Sequence, residues 1–376
     1  MKKNYISALA VLACVAVFCT ISGNSFHQMR TATEEIIPGE GVTEVRMLSD
    51  YFPDLAGTAG DTQIYVLQGE QEGGSCLILG GTHANELGGH MGAVLFVENA
   101  KVEAGTLYVI PRTNNSAFTH NDPQEGHPST VHITTDEGNV REFIHGSRAT
   151  NPVDQWPDPD VYVNYMGQSL SGSENRNINR TYPGKADGTL TEMMSYGIVQ
   201  LINTENIDVT VDLHEASPEY PVINALIAHE RAMNLASNVV VDMQMEGVQI
   251  SLEPSPTDLR GLTHRELGDH TDTLALLMEA PNPPQGRLRD RTDEALVLTG
   301  KSETYVKAGE IGQLYVPYDE NGWPIEVRCA RHVFGIERIL ANYSEMYEEP
   351  IIVTGMPSYD ELVKNGMGPY LNEPTT

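Results

Sequence analysis

Apolar runs of strand length alternate with longer amphipathic segments along most of the chain. Clear runs lie at residues 76–79, 207–213 and 273–278, and each is soon followed by a histidine or a carboxylate. Segments whose apolar residues have helical spacing lie between and after them, for example at 87–99 and 331–347. Because strands and helices alternate, the pattern predicts an α/β fold with a mixed, mainly parallel sheet flanked by helices.

The two ends of the chain have patterns of their own. Residues 1–25 place two lysines before an apolar run, which is the layout of an export signal or of an uncleaved signal anchor. Residues 26–45 contain the glycines and proline of a linker. We expect one folded domain over 46–350, including an unassigned insertion of loops and short strands at 281–328, and a tail at 351–376.

One long stretch, residues 114–189, has no periodicity and is rich in Asn, Asp, Pro, Gly and Ser. It leads into a polar cluster at 174–184. A structureless segment of that length inside a compact domain is usually functional or disordered. We interpret this one as an excursion that forms part of a site. Its scattered histidines have spacings that fit no familiar ligand pattern, and we expect them to be loop residues.

The chain has 376 residues, of which 23 are basic and 52 acidic, so its formal net charge is −29. This balance argues against nucleic acid and anionic membranes as partners, because neutralising phosphate requires clustered Lys and Arg. Contact with a membrane is expected only through an uncleaved anchor. The charge suits a soluble extracytoplasmic protein (secreted, periplasmic or anchored facing outward), although acidity that merely keeps the protein soluble is the simpler explanation.

The four cysteines are too few for a disulfide-stabilised fold. Cys14 and Cys19 lie in the export segment, which leaves Cys76 and Cys329 for the body. A Cys76–Cys329 disulfide in an oxidising compartment and two free, packed thiols both remain open.

The polar residues that follow the apolar runs have the types that bind a metal ion. His83 and Glu86 come directly after one predicted strand, and His214 ends another. Two imidazoles and one carboxylate are a ligand set of catalytic zinc, which keeps one position open for water. Glu279, at the end of a third predicted strand, is placed to act as the general base.

Two further roles remain in such a site, because an oxyanion needs a fixed donor and a substrate carboxylate needs a bidentate partner. The polar cluster offers Arg176, Asn179 and Arg180 for these roles. His90 is an alternative ligand, four residues after Glu86 on one helix face.

These residues resemble the zinc carboxypeptidase superfamily, particularly its succinylglutamate desuccinylase and aspartoacylase branch. The matching strings are Gly-Thr-His-Ala-Asn-Glu at 81–86, Asn-Arg at 179–180, Asp-Leu-His at 212–214 and Leu-Met-Glu at 277–279. The resemblance implies a single α/β domain, one Zn²⁺ per chain held by His83, Glu86 and His214, and hydrolysis of an amide next to a carboxylate. In this setting Asn179 and Arg180 bind the substrate carboxylate, and 46–350 is the catalytic domain.

The chain departs from the family pattern in three places. Ala84 stands where the family usually has Gly, and no arginine before the Asn-Arg pair matches cleanly. Arg176 is the nearest arginine and Arg148 is a substitute, so the oxyanion role stays open between them. A carboxy-terminal β domain of the desuccinylase kind is not recognisable in the sequence.

We therefore expect an exported zinc amidohydrolase that deacylates N-acyl amino acids. The alternative within the superfamily is a secreted metallocarboxypeptidase that acts on peptides or cell-wall fragments. A zinc-free binding module with the same fold is the alternative from another class.

Overall fold

The computed structural model describes residues 2–122 and 127–374. The strands within these ranges are β1 (Glu44–Met47), β2 (Gln63–Gln68), β3 (Gln71–Leu79), β4 (Lys101–Ile110), β5 (Thr130–Thr134), β6 (Val140–Ile144), β7 (Val161–Val163), β8 (Ser169–Ser171), β9 (Val209–Ala216), β10 (Ala225–Ala228), β11 (Ser251–Pro254), β12 (Leu274–Pro281) and β13 (Ile352–Thr354). The α-helices are α1 (Lys2–Thr31), α2 (Leu87–Asn99), α3 (Leu190–Glu205), α4 (Met233–Met245), α5 (Thr263–His270), α6 (Glu294–Thr299), α7 (Glu303–Glu310), α8 (Ile325–Tyr347) and α9 (Tyr359–Asn365).

One large sheet organises the molecule, with strand order β1-β2-β4-β3-β9-β12-β10-β11, and β13 pairs with β4. The four central strands, β4, β3, β9 and β12, run parallel to one another. Antiparallel pairing begins on either side, where β2 joins β4 and β10 joins β12. The predicted α/β class with a mixed, mainly parallel sheet is confirmed.

The central strands are buried on both faces, which explains their continuous apolar sequence. Along β3, Cys76 and Ile78 pack into a core formed with α2, α4 and α8, whereas Leu77 and Leu79 pack into a second core with α3. The alternation of side chains along a strand divides them in this way. Both body cysteines are free and buried, so the disulfide between them is not formed.

Helix α2 lies unusually close to β9. A Cβ atom on Gly89 would stand 2.4 Å from the carbonyl oxygen of Leu213, and a Cβ on Gly88 would stand 2.4 Å from Oε1 of Glu215. Only glycine permits this approach of helix to strand. The loop before α2 is thereby held beside the end of β9.

The amino-terminal segment differs from the prediction. Helix α1 continues to Thr31, beyond the expected boundary at residue 25, and it is long and apolar enough to cross a membrane. Residues 26–45 are not a free linker, because Glu34 is buried and its Oε1 lies 2.5 Å from Nε2 of His90. This pairing also shows that His90 is directed away from the predicted ligands.

The secondary structure of two further segments differs from the prediction. The insertion at 281–328 contains the helices α6 and α7 where short strands were expected, and α8 begins inside it. The excursion at 114–189 forms two small hairpins, β5–β6 and β7–β8, together with short 3-10 turns. These turns carry the polar cluster to the rim of the central strands.

Candidate metal centre

The ends of β3 and β9 bring three predicted ligands together. Gly81, with a φ of +61°, turns the chain after β3 so that His83 and Glu86 precede α2. His214 lies near the end of β9, and its register partner on β12 is Glu279. The carboxyl ends of parallel strands meet at one edge of the sheet, which is where α/β proteins build their sites.

The three side chains converge on one point. Nδ1 of His83 lies 2.7 Å from Oε1 of Glu86, and Nδ1 of His214 lies 2.8 Å from Oε2 of the same carboxylate. One ligand atom from each residue lies within 4.8 Å of the others, and all three residues are buried. Two nitrogens and a carboxylate at this spacing fit a zinc ion that is bound by Glu86 and both imidazoles.

Both imidazole rings are fixed by contacts at their other nitrogen. Nε2 of His214 lies 2.8 Å from Oδ2 of Asp212, and Nε2 of His83 lies 2.9 Å from Oδ1 of Asn177. The hydroxyls of Thr82 and Thr263 each donate to Asp212 at 2.6 Å. Such partners hold the Nε2 proton and leave Nδ1 free to bind a metal.

The electrostatics of the centre are those of a site built for a cation. Burial opposes the charge on Glu86, but His83 and His214 hold the pKa of Glu86 well below its usual value. Burial also opposes a proton on His214, yet Asp212 and Glu86 raise the pKa of His214 well above its usual value. Burial lowers the pKa of His83 to about 4. A metal ion would replace the proton on His214, because ligands bind metals in their deprotonated form.

Glu279 stands beside the centre without a partner for one of its oxygens. Its Oε2 is buried and makes no hydrogen bond to any described residue. Burial, reinforced by the neighbouring charge of Glu86, raises the pKa of Glu279 to about 8. An unsatisfied buried oxygen in a native fold calls for an explanation, and a proton-transfer role supplies one.

Two arginines and an amide line the same cavity. Arg148 reaches within 3.7 Å of Oε1 of Glu86. Oδ1 of Asn179 accepts a hydrogen bond of 2.9 Å from the backbone N–H of Thr263. Arg180 donates to the Asn179 carbonyl at 2.6 Å, and burial lowers the pKa of Arg180. A positive wall therefore faces the predicted ligands.

Arg176 is the one predicted site residue that the structure does not place at the cavity. Its Nε and Nη2 atoms bind the carboxylate of Asp158 at 2.8 Å and 3.0 Å, and Nη1 donates to the carbonyl of Thr150. The 3-10 turn that contains Arg176 directs its side chain into the excursion, away from the cavity. Of the two arginines left open, Arg148 is the one that lines the cavity.

Glu215, the residue after His214, is directed to the opposite side of β9, as expected for alternating side chains. Its carboxylate accepts from the Gly88 N–H, from Nδ2 of Asn282 and from the guanidinium of Arg328. Its backbone N–H donates to Oε2 of Glu86 at 3.0 Å. Glu215 is thus a structural neighbour of the centre.

The cavity next to the centre has a volume of about 440 Å³. Its walls also include residues to which the sequence analysis assigned no role: Tyr220, Val222, Ile227, Glu253, Leu259, Leu262, His264, Leu277 and Gln285. Nε2 of Gln285 donates to Oε1 of Glu86 at 3.2 Å. Asn177 was also missed, although the polar cluster at 174–184 was a signal for it.

No protein-family model matches the chain, and no curated protein matches it by sequence. Its structure is similar to that of a succinylglutamate desuccinylase from Silicibacter, with 14% identity, 84% of this chain and 72% of that chain covered, and a TM-score of 0.44. It is similar to a metallo-carboxypeptidase from Burkholderia cenocepacia, with 11% identity, 85% and 68% covered, and a TM-score of 0.45.

A third similar structure is an aspartoacylase family protein from Mesorhizobium loti, with 16% identity, 66% of this chain and 64% of that chain covered, and a TM-score of 0.36. The chain thus spans less than two thirds of the length of this relative. These neighbours bear the names of the hydrolases that the sequence motifs resemble.

Proposed function

We propose that this chain is an exported zinc-dependent amidohydrolase that releases an amino acid from an N-acyl amino acid. The arrangement of His83, Glu86 and His214 around one point, with the unpartnered oxygen of Glu279 beside it, carries the proposal. The donor set fits zinc, and one ion per chain is expected. Bound there, zinc would supply a Lewis acid that polarises a carbonyl and lowers the pKa of water.

The proton transfers belong to Glu279. Its carboxylate accepts a proton from the attacking water and returns it to the leaving nitrogen, so that the amide C–N bond breaks and an amine departs. The raised pKa of Glu279, about 8, keeps its carboxylate a stronger base than an exposed glutamate. The charge of a cation bound by His83, Glu86 and His214 would lower the pKa of Glu279 toward neutral pH, so that its carboxylate could act as a base there.

The positive wall orients the substrate. Asn179 and Arg180 bind the carboxylate of the amino-acid half, since a guanidinium offers paired donors that match a carboxylate. Arg148 faces the centre and stabilises the negative charge that develops on the carbonyl oxygen. Holding both ends of the substrate in this way places the amide next to Glu279.

A metallocarboxypeptidase that acts on peptides or wall fragments is the second candidate. The observation in its favour is that part of the cavity wall is open to solvent. The side chain of Arg148 is 42% exposed, and Tyr220 is 48% exposed. This openness leaves room for a longer acyl half.

A direct comparison of substrates separates the two. Zinc-loaded protein is offered an N-acetyl amino acid and a blocked dipeptide that share the same leaving residue. We expect faster turnover of the acetylated amino acid, and activity confined to the peptide would refute deacylation. Substoichiometric zinc in the purified protein, together with no effect of a chelator, would instead favour a binding module.

The role of Glu279 has its own test. Glu279→Gln is expected to retain zinc and to lose nearly all turnover, because an amide cannot accept the proton. Zinc content by elemental analysis and kcat are the two measurements. Turnover at the wild-type rate would remove Glu279 as the base.

We also propose that the body lies outside the cytoplasm and that α1 stays attached as an anchor. Arg30 at the end of α1 pairs with Asp154 of the body at 2.9 Å, which supports a retained helix. The lysines before the apolar run favour an amino terminus inside the cell. Alkaline extraction of membranes is expected to leave the protein in the pellet, with its body accessible to external protease. Release of a chain that begins near residue 25 would show cleavage instead.

A further inference from the structure

An unpaired carboxylate lies at the far end of the cavity. Glu253, on β11, lines the cavity and is half-buried. Among residues 2–122 and 127–374, no Lys, Arg or His pairs with it and no donor binds it within hydrogen-bond distance. The described protein therefore supplies no cation to this carboxylate, which leaves its oxygens available to a cationic ligand.

The register of the sheet places this carboxylate relative to the reacting groups. Across the sheet, Leu277 on β12 pairs with Ile227 on β10, and Ile227 pairs with Glu253 on β11, so the three side chains share one face. Glu279 follows two residues after Leu277 on that face. From strand spacing and rise, the Cα atoms of Glu253 and Glu279 are about 12 Å apart.

The surface between these two carboxylates is apolar. Ala225, Ile227 and Leu277 form a small hydrophobic cluster, with Val222 packed against it. An aliphatic chain that leaves the centre toward Glu253 would pass over this cluster and lose contact with water. The cavity thus offers an apolar path that ends in a negative charge.

His264, which also lines the cavity, does not neutralise the charge of Glu253. Nδ1 of His264 lies 2.7 Å from the hydroxyl of Ser255, which fixes the ring. Burial lowers the pKa of His264 to about 3, so the imidazole carries no charge at neutral pH. Of the two arginines that line the cavity, Arg148 lies 3.7 Å from Oε1 of Glu86 and Arg180 donates to the carbonyl of Asn179, and neither forms an ion pair with Glu253.

We propose that the amino acid released by this site has a side chain with an aliphatic stem and a cationic end, as lysine and ornithine have. Its ammonium group binds Glu253, its stem lies on Ile227 and Leu277, and its carboxylate binds Arg180. This inference rests on the proposed hydrolysis, and it holds alike for deacylation and for removal of a carboxy-terminal residue, because both release the same amino acid.

Norleucine has an aliphatic side chain of similar shape but no ammonium group, so it isolates the charge. We expect kcat/KM for Nα-acetyl-lysine to exceed that for Nα-acetyl-norleucine about tenfold, the size of one hydrogen-bonded contact to a charged group. Dipeptides that end in the same two residues should give the same ratio. Equal or faster turnover of the norleucine substrates would overturn the proposal without any variant.

Glu253→Gln keeps the shape of the side chain and removes its charge. The lysine-to-norleucine ratio is expected to fall toward one in this variant. Glu310→Gln is the matched control, since Glu310 is exposed, lies outside the cavity lining and changes the net charge equally. A ratio that survives in Glu253→Gln, or that falls to the same extent in Glu310→Gln, would contradict the assignment.

Binding measurements distinguish this inference from the proposed function. Free lysine and free norleucine are titrated calorimetrically into the zinc-loaded protein and into Glu253→Gln. Tighter binding of lysine that depends on Glu253, without hydrolysis of any substrate, would support the subsite and refute the hydrolase. Hydrolysis without any preference for lysine would support the hydrolase and refute the subsite.

Discussion

Replacing Arg328 by methionine tests how much a buried ion pair next to the predicted metal centre contributes to the stability of the fold. Arg328 on α8 and Glu215 on β9 are both fully buried. Nη1 of Arg328 donates to the two oxygens of Glu215 at 2.9 Å and 3.1 Å, and Nη2 donates to the carbonyl of Val297 at 2.5 Å. The substitution keeps the aliphatic bulk but leaves a buried carboxylate without its cation.

The expected loss follows from these contacts. Removing one partner of a buried ion pair costs about 3–5 kcal/mol of unfolding free energy. Burial already raises the pKa of Glu215 to about 7, and loss of Arg328 raises it further. The carboxyl can then avoid the unpaired charge by taking up a proton, so we expect a smaller loss at pH 6 than at pH 8.

Denaturant unfolding of the metal-free protein at both pH values measures this loss. Arg338→Met is the matched control on the same helix, because Arg338 is partly exposed and pairs with the exposed Glu246 at 3.2 Å. The control is expected to change stability by about 1 kcal/mol or less. If Arg328→Met loses less than about 1 kcal/mol of unfolding free energy at pH 8, the buried ion pair does not contribute to stability as expected.

Three further substitutions probe other parts of the structure. Asp212→Ala removes the partner of Nε2 of His214 and should weaken zinc binding about 10–100-fold in a competition titration with a chelator. Unchanged zinc affinity would contradict the role of Asp212 in orienting His214. Gly89→Ala places a methyl against the Leu213 carbonyl and should cost about 1–3 kcal/mol in denaturant unfolding, whereas a neutral result would mean that α2 can shift. Burial raises the pKa of Glu337 to about 7, so the contribution of Glu337 to stability should fall as pH rises from about 4.5 to 7. Relative to the wild type, Glu337→Gln should therefore gain about 1–2 kcal/mol at pH 8 and little at pH 4 in denaturant unfolding, and an equal effect at both pH values would contradict this.

The elements predicted from sequence are those whose pattern is set locally. The helix predicted at 87–99 has the bounds of α2. The strand predicted at 76–79 lies within β3, and the one predicted at 207–213 overlaps β9 from Val209 onward. Buried parallel strands are continuously apolar, so their signal survives in the sequence alone. The grouping of His83, Glu86 and His214 followed from these strands, since strand ends on one edge bring their next residues together.

The features that the sequence did not predict depend on contacts between distant segments. Arg148 and Arg176 both lie in an excursion without periodicity, and the folded path of this excursion places Arg148 at the cavity and pairs Arg176 with Asp158. Glu253 lines the cavity because β11 pairs with β10 and β10 pairs with β12, a connection that composition does not reveal. The burial of Glu34 in the expected linker is a long-range pairing with His90.

The sheet changes direction between the predicted metal centre and Glu253. His83, Glu86, His214 and Glu279 belong to the parallel centre, whereas the wall that ends in Glu253 is carried by two strands that run the opposite way. β11 does not pair with β3 or β9, the strands next to the predicted ligands, whereas β10 pairs with β12, which carries Glu279. Under the proposed function, exchanging side chains of β11 would alter the surface that meets the released side chain at one border of the sheet, which makes that border a target for redesign.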